Sequence, residues 1–138
     1  MMLRPTATVS AMADESTIRE TIESYWKAFT AGDREAWVSL FTDDATVEDP
    51  VGSDVHKGKD AIGAFFDASH SLADSIELRS LDVTAIVGNE CAFAMEIRPV
   101  IGGMAMVLEA IDVMTFADDG RITSQRAFWQ MERMRPAE

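Results

Sequence analysis

Residues 43–53 read Asp-Asp-Ala-Thr-Val-Glu-Asp-Pro-Val-Gly-Ser, and the rest of the chain is interpreted outward from this stretch. Read as a strand, it places Ala45, Val47 and Asp49 on one face and polar side chains on the other. A proline and a glycine then end the strand. Asp49 is therefore a carboxyl group at the edge of an apolar face, where a general base with a tuned pKa can lie. The same position also suits an aspartate that starts a turn before proline, so the spacing leaves both interpretations open.

A longer strand predicted for residues 104–116 holds a second carboxyl group on an apolar face. The row on that face consists of Met104, Met106, Leu108, Ala110, Asp112, Met114 and Phe116. An ionised carboxylate among apolar side chains is costly, so the pKa of Asp112 is expected to rise. Protonated at neutral pH, Asp112 becomes a hydrogen-bond donor. The alternatives are that this face is exposed at Asp112 or that an arginine neutralises it.

The first half of the chain predicts helices. Apolar and aromatic residues recur at spacings of three and four, which indicates an amphipathic helix that carries Ile18, Ile22, Tyr25, Trp26 and Phe29 and ends before Gly32. Tyr25 lies on its buried stripe. It is either an ordinary core tyrosine or a hydroxyl that points into a pocket and donates to a substrate oxygen.

Capping residues predict where the helices begin. Thr17 and Glu20 resemble a capping box for the first helix, and Asp33 is a good cap for a short second one. Asp60 is predicted to cap a third helix, which holds Phe65 and Phe66 at helical spacing.

From residue 75 onward the apolar period changes to two, with turn signals between the segments. The predicted fold class is therefore α+β, with three N-terminal helices packed on one face of a curved, mostly antiparallel β-sheet. Residues 14–138 are predicted to form a single domain, and residues 1–13, which have neither helical periodicity nor a signal-peptide pattern, a mobile tail.

Composition excludes several classes of partner. A formal net charge of −12 argues against nucleic acid and anionic membranes, which bind clustered Lys and Arg. No apolar run approaches the roughly 18 residues of a membrane-spanning helix. The single cysteine, Cys91, cannot form an internal disulfide, which fits a reducing cytoplasm, and its neighbours predict a buried position. His56 and His70 have no second ligand at metal spacing and receive no role.

Three segments resemble the bacterial Δ5-3-ketosteroid isomerases of the NTF2-like and SnoaL-like superfamily. Residues 43–53 are similar to the family's signature, Tyr25-Trp-Lys-Ala-Phe-Thr-Ala-Gly-Asp33 to the helix with its oxyanion-hole tyrosine, and Ala110-Ile111-Asp112 to the strand with its oxyanion-hole aspartic acid. The resemblance spans residues 18–131. It implies an NTF2-like cone that encloses an apolar pocket, a homodimer, and catalysis without cofactor or metal. It also implies that Asp49 is the base and that Tyr25 and protonated Asp112 are the two donors.

The predicted pocket wall is apolar and suits a flat, fused-ring ketone such as a steroid. Its candidate residues, each of which could also be ordinary core, are Phe65, Phe93, Met95, Met106, Leu108, Met114, Phe128 and Trp129. The resemblance favours Trp129, because the family carries an aromatic residue there beside the steroid. It also adds Phe66, which stands where well-studied members have a tyrosine bonded to the oxyanion-hole tyrosine.

Two other functions are considered beside a steroid Δ5-isomerase. An epoxide hydrolase or polyketide cyclase of the same superfamily is one, although those epoxide hydrolases carry an arginine where this chain has Ala110. A non-catalytic module that binds a lipid or protein is the other. Such modules usually lack at least one of the three polar pocket groups, all of which are present here.

Overall fold

In the computed structural model, which describes residues 12–138, two helices come first, a pair of strands and a third helix follow, and longer antiparallel strands complete the chain. The helices are α1 Glu15–Ala31, α2 Arg34–Val38 and α3 Lys59–Ser71. The strands are β1 Phe41–Glu48, β2 His56–Lys57, β3 Ser75–Val87, β4 Glu90–Ile101, β5 Met104–Phe116, β6 Ile122–Phe128 and β7 Arg135–Pro136, with a 3-10 turn at Met131–Arg133 before β7. The predicted tail falls mostly outside the described residues, and Ala13 is already buried.

The strands form one sheet in the order β2-β1-β6-β5-β4-β3, and β7 pairs with the start of β5. Only the β1–β6 pair is parallel among these described strands, so the sheet is mixed but mostly antiparallel. This confirms the predicted α+β class with three helices on a curved sheet. The parallel pair matters for function, because it brings the end of β1 beside the end of β6.

Two of the predicted helix starts are wrong. Asp14 caps α1 by accepting a hydrogen bond from the Thr17 backbone N–H at 2.8 Å, so Thr17 lies inside the helix. Gly58, with φ +87°, precedes α3, and Asp60 lies in the first turn, where the helix dipole still favours a carboxylate. The Asp33 cap of α2 is confirmed by its bond to the Ala36 N–H.

A cluster of aromatic rings fixes α1 against the sheet. The Trp37 side chain is fully buried, and its ring centroid lies 5.6 Å from Tyr25, 5.5 Å from Phe29 and 4.7 Å from Phe41. Truncating a buried ring of this kind costs about 3–5 kcal/mol. The orientation of Tyr25 is therefore set by core packing rather than by a loop.

The inner face of β4 and β5 continues this core, as the period of two predicts. Cys91 is buried there, and burial raises the pKa of its thiol to about 12. Among residues 12–138, none of the helices has the length and hydropathy of a membrane-spanning segment. The same residues contain no cluster of three or more His, Cys, Asp or Glu side chains placed to share a metal ion.

Candidate active site

A cavity of about 170 Å³ lies between α1, α3 and the inner face of the sheet. Its polar lining comes from Tyr25, Asp49, Ser69 and Trp129, and the rest is apolar. Sites for drug-sized ligands are usually about 300–1,000 Å³, so the cavity holds part of a fused-ring ligand and the remainder extends to the mouth. Larger hollows of about 800 and 560 Å³ lie on the outer face of the sheet and beside α1, and neither contains Tyr25, Asp49 or Asp112.

Asp49 lies directly after β1, at the apolar rim that the sequence predicts. Its Oδ1 accepts a hydrogen bond of 2.6 Å from the Trp129 indole Nε1, and its Oδ2 accepts a longer one of 3.4 Å from Gln125 Nε2. Burial raises the pKa of Asp49, and the two hydrogen bonds and the charge of His56 act against that increase. Asp49 lines the cavity, so a carboxylate with raised basicity meets the ligand space.

Asp112 lies in the middle of β5 and is 0% exposed. Burial, and to a lesser extent the charge of Asp49, raises its pKa well above the usual range, against the hydrogen bonds from Gln125 and Tyr25. Gln125 Nε2 donates to Oδ2 at 2.9 Å. Oδ1 has no hydrogen-bond partner of ordinary geometry among residues 12–138. The two alternatives considered for this residue, exposure and neutralisation by arginine, therefore both disagree with the described contacts.

Tyr25 lies on α1, lines the cavity and is 2% exposed. Burial raises the pKa of its hydroxyl well above the usual value of about 10, and the neighbouring carboxyl groups of Asp112 and Asp49 add to the effect. Tyr25 is thus a neutral donor at every physiological pH. The structure brings Tyr25, Asp49 and Asp112 into one electrostatic unit, but Asp112 itself contributes no surface to the cavity.

Gln125 joins the two carboxyl groups and was not anticipated from the sequence. It is 0% exposed on β6, where its register partners are Met114 on β5 and Val47 on β1. The sequence does contain a pattern that could have predicted this residue. Alternation along β6 places Gln125, Ala127 and Trp129 on one face, so a glutamine stands in an otherwise apolar row.

The predicted wall residues divide into three groups. Phe65, Met95, Leu108 and Trp129 line the cavity. Phe93 and Met114 are buried in the core below it, while Met106 is half-buried, and none of these three lines it. Phe128 lies on the outer face and is 43% exposed, because adjacent residues of a strand point to opposite faces.

Phe66 belongs to the aromatic core. Its ring packs against Phe29, Trp37 and His70, at centroid distances of 5.4, 5.3 and 3.9 Å. The described ring contacts of Tyr25 are with Phe29, Trp37 and Phe93 instead. The proximity of Phe66 to the tyrosine that the resemblance implied is therefore not found among the ring contacts.

Several wall residues were not predicted from the sequence. They come from the ends of α3, β3 and β4 and from the segment after β6: Leu72, Ala73, Ile76, Leu78, Ile97, Pro99, Ile101, Met131 and Met134. The two methionines follow the last long strand, where a 3-10 turn carries no apolar period. The C-terminal segment thus forms part of the cavity wall.

Comparison with known proteins places this geometry in a family. The model described as the SnoaL-like domain matches residues 22–125. The chain is 41% identical over 112 residues to the Steroid Delta-isomerase of Nocardioides simplex, across 81% of this chain and 89% of that protein.

Solved structures agree on the fold. One is an epoxide hydrolase/cyclase-like enzyme with a role in pyran ring formation in the polyether salinomycin, 28% identical with a TM-score of 0.82 over 91% of this chain and 100% of that one. Another is a Mycobacterium tuberculosis protein, 26% identical with a TM-score of 0.80 over 91% and 100% of the two chains. That protein was also solved in complex with estradiol-17beta-hemisuccinate, with a TM-score of 0.76 at 26% identity over 86% and 98% of the chains. The predicted NTF2-like fold is confirmed.

Proposed function

The chain belongs to the SnoaL-like domain family and is an isomerase, and from that premise we propose that it is a steroid Δ5-isomerase. The reaction would convert 3-oxo-Δ5-steroids to the conjugated 3-oxo-Δ4 isomers. The observation that carries this proposal is a basic carboxylate, Asp49, in the same apolar site as two groups held in their neutral form, Tyr25 and Asp112. Groups whose surroundings separate their pKa values suit a division into base and donors, as known for ketosteroid isomerase itself.

Asp49 would act as the base. Its carboxylate removes a proton from C4, between the ketone and the double bond, and the electrons move onto the carbonyl oxygen to give a dienolate. The carboxylic acid so formed returns the proton to C6, which leaves the double bond between C4 and C5. The Trp129 indole N–H, which donates to Asp49 Oδ1 at 2.6 Å, would orient the carboxyl group for both transfers. The substrate and product are isomers, so one proton moved by one residue balances the reaction.

Tyr25 and Asp112 would stabilise the dienolate oxygen. Tyr25 lines the cavity and donates its hydroxyl proton. Asp112 has one oxygen, Oδ1, without a partner in the described part of the chain, but it does not line the cavity, so a substrate oxygen would have to pass the present cavity wall to accept its proton. Two preorganised donors in an apolar site stabilise developing negative charge more strongly than water does. The apolar cavity wall excludes polar competitors.

A spectrophotometric assay tests this function. The purified protein is mixed with 5-androstene-3,17-dione, and the absorbance of the conjugated enone is followed over time. The proposed function predicts enzyme-dependent formation of the Δ4 product that disappears in the Asp49→Asn variant. If wild-type protein binds the steroid and forms no enone, the chain is a binding module or acts on another substrate.

An epoxide hydrolase or cyclase is the second candidate, and the 28% identical solved enzyme favours it. Two neighbouring carboxyl groups can in principle protonate an epoxide and activate its nucleophile. Against it, the position two residues before Asp112 is Ala110, a buried small residue, where the arginine of the resembling epoxide hydrolases would stand. Incubation with a terpene epoxide separates the two, since diol formation without enone formation would favour the second candidate.

A homodimer in the cytoplasm is also proposed. An apolar row crosses the outer face of four strands, with Val83 paired to Ala94, Ala94 to Ile111 and Ile111 to Phe128. Val83, Ile111 and Phe128 are 63%, 52% and 43% exposed, and such a patch is typical of a surface that a second copy covers. Sedimentation of wild type and Ile111→Asp tests the dimer: the variant should be monomeric. The single buried cysteine fits a reducing compartment.

A further inference from the structure

Gln125 is the one fully buried amide that touches both carboxyl groups of the site in the described residues. Its Nε2 donates to Asp112 Oδ2 at 2.9 Å and to Asp49 Oδ2 at 3.4 Å. Its Oε1 is buried and has no hydrogen-bond partner within residues 12–138. A buried polar atom without a partner costs about 1–3 kcal/mol, so the amide is retained at a cost on its oxygen side while its nitrogen donates to both carboxyl groups.

The orientation of this amide determines which oxygen of Asp112 can carry a proton. The Nε2 hydrogens point at Oδ2 of both carboxyl groups, and the opposite orientation would place Oε1 against two carboxyl oxygens. Because Oδ2 of Asp112 already accepts a hydrogen from Gln125, a proton on Asp112 is better placed on Oδ1. Oδ1 is the oxygen without a partner among the described residues.

We propose that Gln125 is a positioning residue: its amide occupies Oδ2 of Asp112, so that a proton on Asp112 resides on Oδ1, and its second, longer hydrogen bond favours the ionised form of Asp49. This inference rests on the proposed isomerase function for its catalytic meaning. An amide suits the task because it donates to two carboxyl groups without itself taking up or releasing a proton. A lysine or arginine at this place would hold both carboxyl groups ionised and remove the second donor.

The other titratable groups near the pair come from different elements. Tyr25 on α1 and His56 on β2 interact electrostatically with the carboxyl groups, and Asp112 in turn influences Cys91 on β4. Gln125 and Tyr25 lower the pKa of Asp112, and Gln125, Trp129 and His56 lower that of Asp49, each against the effect of burial. Removing Gln125 should therefore move the titration of both carboxyl groups to higher pH.

The test is Gln125→Met, with Gln130→Met as the matched control, since Gln130 is exposed on the same segment and contacts neither carboxyl group. Methionine keeps the length of the side chain and removes the amide. We expect kcat to fall about 10-fold or more with KM changed less than threefold, and the acidic limb of the pH profile to move to higher pH. Because the substitution leaves buried carboxyl oxygens without their donor, the free energy of unfolding is measured beside the activity, and the shift of the pH profile is the readout that a merely structural role would not move.

A second measurement does not depend on turnover. Carbon-13 NMR of aspartate-labelled protein, assigned with Asp49→Asn and Asp112→Asn, follows both carboxyl groups against pH. Higher titration midpoints in Gln125→Met than in wild type and Gln130→Met support the proposal, and unchanged midpoints overturn it. If Gln125→Met does not fold, Gln125→Leu takes its place. Failure of wild type to isomerise a steroid, with the NMR midpoints shifted, would refute the proposed function and leave the role of Gln125 intact.

Discussion

The end of β1 and the middle of β5 each present an aspartate to the same site, but their surroundings differ. Asp49 lies at a strand end, lines the cavity and accepts a 2.6 Å hydrogen bond from Trp129. Asp112 lies within the sheet, is fully buried, and has one oxygen without a partner in the described residues. The difference shows how one residue type can supply a base and a donor: the position in the strand decides how much solvent and how many donors each carboxyl group meets.

Substitution of Asp49, at the end of β1, should have the largest effect on activity. Asp49→Asn keeps a hydrogen-bonding side chain in place but cannot accept a proton from carbon, so kcat should fall about 10³-fold. Steroid binding and thermal stability should change little, and fluorescence binding and calorimetry provide the controls. Full turnover by a folded Asp49→Asn protein would place the base elsewhere and remove the contrast between the two carboxyl groups.

Substitution of Asp112, in the middle of β5, should lower activity less than substitution of Asp49. Asp112→Leu removes one donor to the dienolate oxygen and should lower kcat about 10²-fold, whereas Asp112→Asn, which can still donate, should retain part of the activity. The assay is enone formation at saturating substrate. Because Asp112 contributes no surface to the cavity, equal activities of the two variants would indicate that it acts only through Tyr25.

The pH dependence of stability sharpens the comparison without any substrate. A raised folded pKa means that native Asp112 holds a proton which the unfolded chain releases near pH ~4. Its contribution to the free energy of unfolding is therefore present at low pH and declines as pH rises towards the folded pKa, by at most about 1.4 kcal/mol per pH unit. Urea denaturation at a series of pH values should show a smaller decline in Asp112→Asn than in wild type. A steeper decline in the variant would mean that native Asp112 is ionised.

The smallest effect is expected at α3. Phe66 packs against Phe29, Trp37 and His70 and makes no described ring contact with Tyr25, so we expect a hydroxyl added in Phe66→Tyr to affect Tyr25 little. The rate should change less than threefold. A larger gain in kcat would show that the tyrosine network implied by the resemblance can be rebuilt, and that the donors depend on α3 as well as on α1 and β5.

Periodicity explains which parts of the site could be predicted. Asp49 and Asp112 each interrupt an apolar row of a strand, and Tyr25 lies on the buried stripe of a helix, so their faces follow from the spacing alone. Phe128 and Trp129 are neighbours in sequence, and the same period of two means that only one of them can face the cavity. The contact of Gln125 with Asp112 follows from the β5–β6 hairpin, but its contact with Asp49 depends on the β1–β6 pairing, which joins residues about 80 positions apart and leaves no local signal.

Packing between elements explains which parts of the site could not be predicted from periodicity. Whether a buried row forms solid core or cavity wall depends on which helix covers it. Phe93 and Met95 share one face of β4, yet Phe93 lies under the rings of Tyr25 and Trp26, and Met95 lines the cavity. The wall supplied by Met131 and Met134 depends on a short 3-10 turn that brings the chain back to β5.

The hydrogen bond between Trp129 and Asp49 gives the protein a built-in optical reporter. Of the three tryptophans in the chain, Trp37 is sealed in the core, whereas the Trp129 ring lines the cavity and its N–H donates to Asp49. Its emission should respond to ligand entry and to protonation of Asp49. The spectrum of wild type minus that of Trp129→Phe isolates this signal, so binding of colourless candidate substrates could be screened without any label.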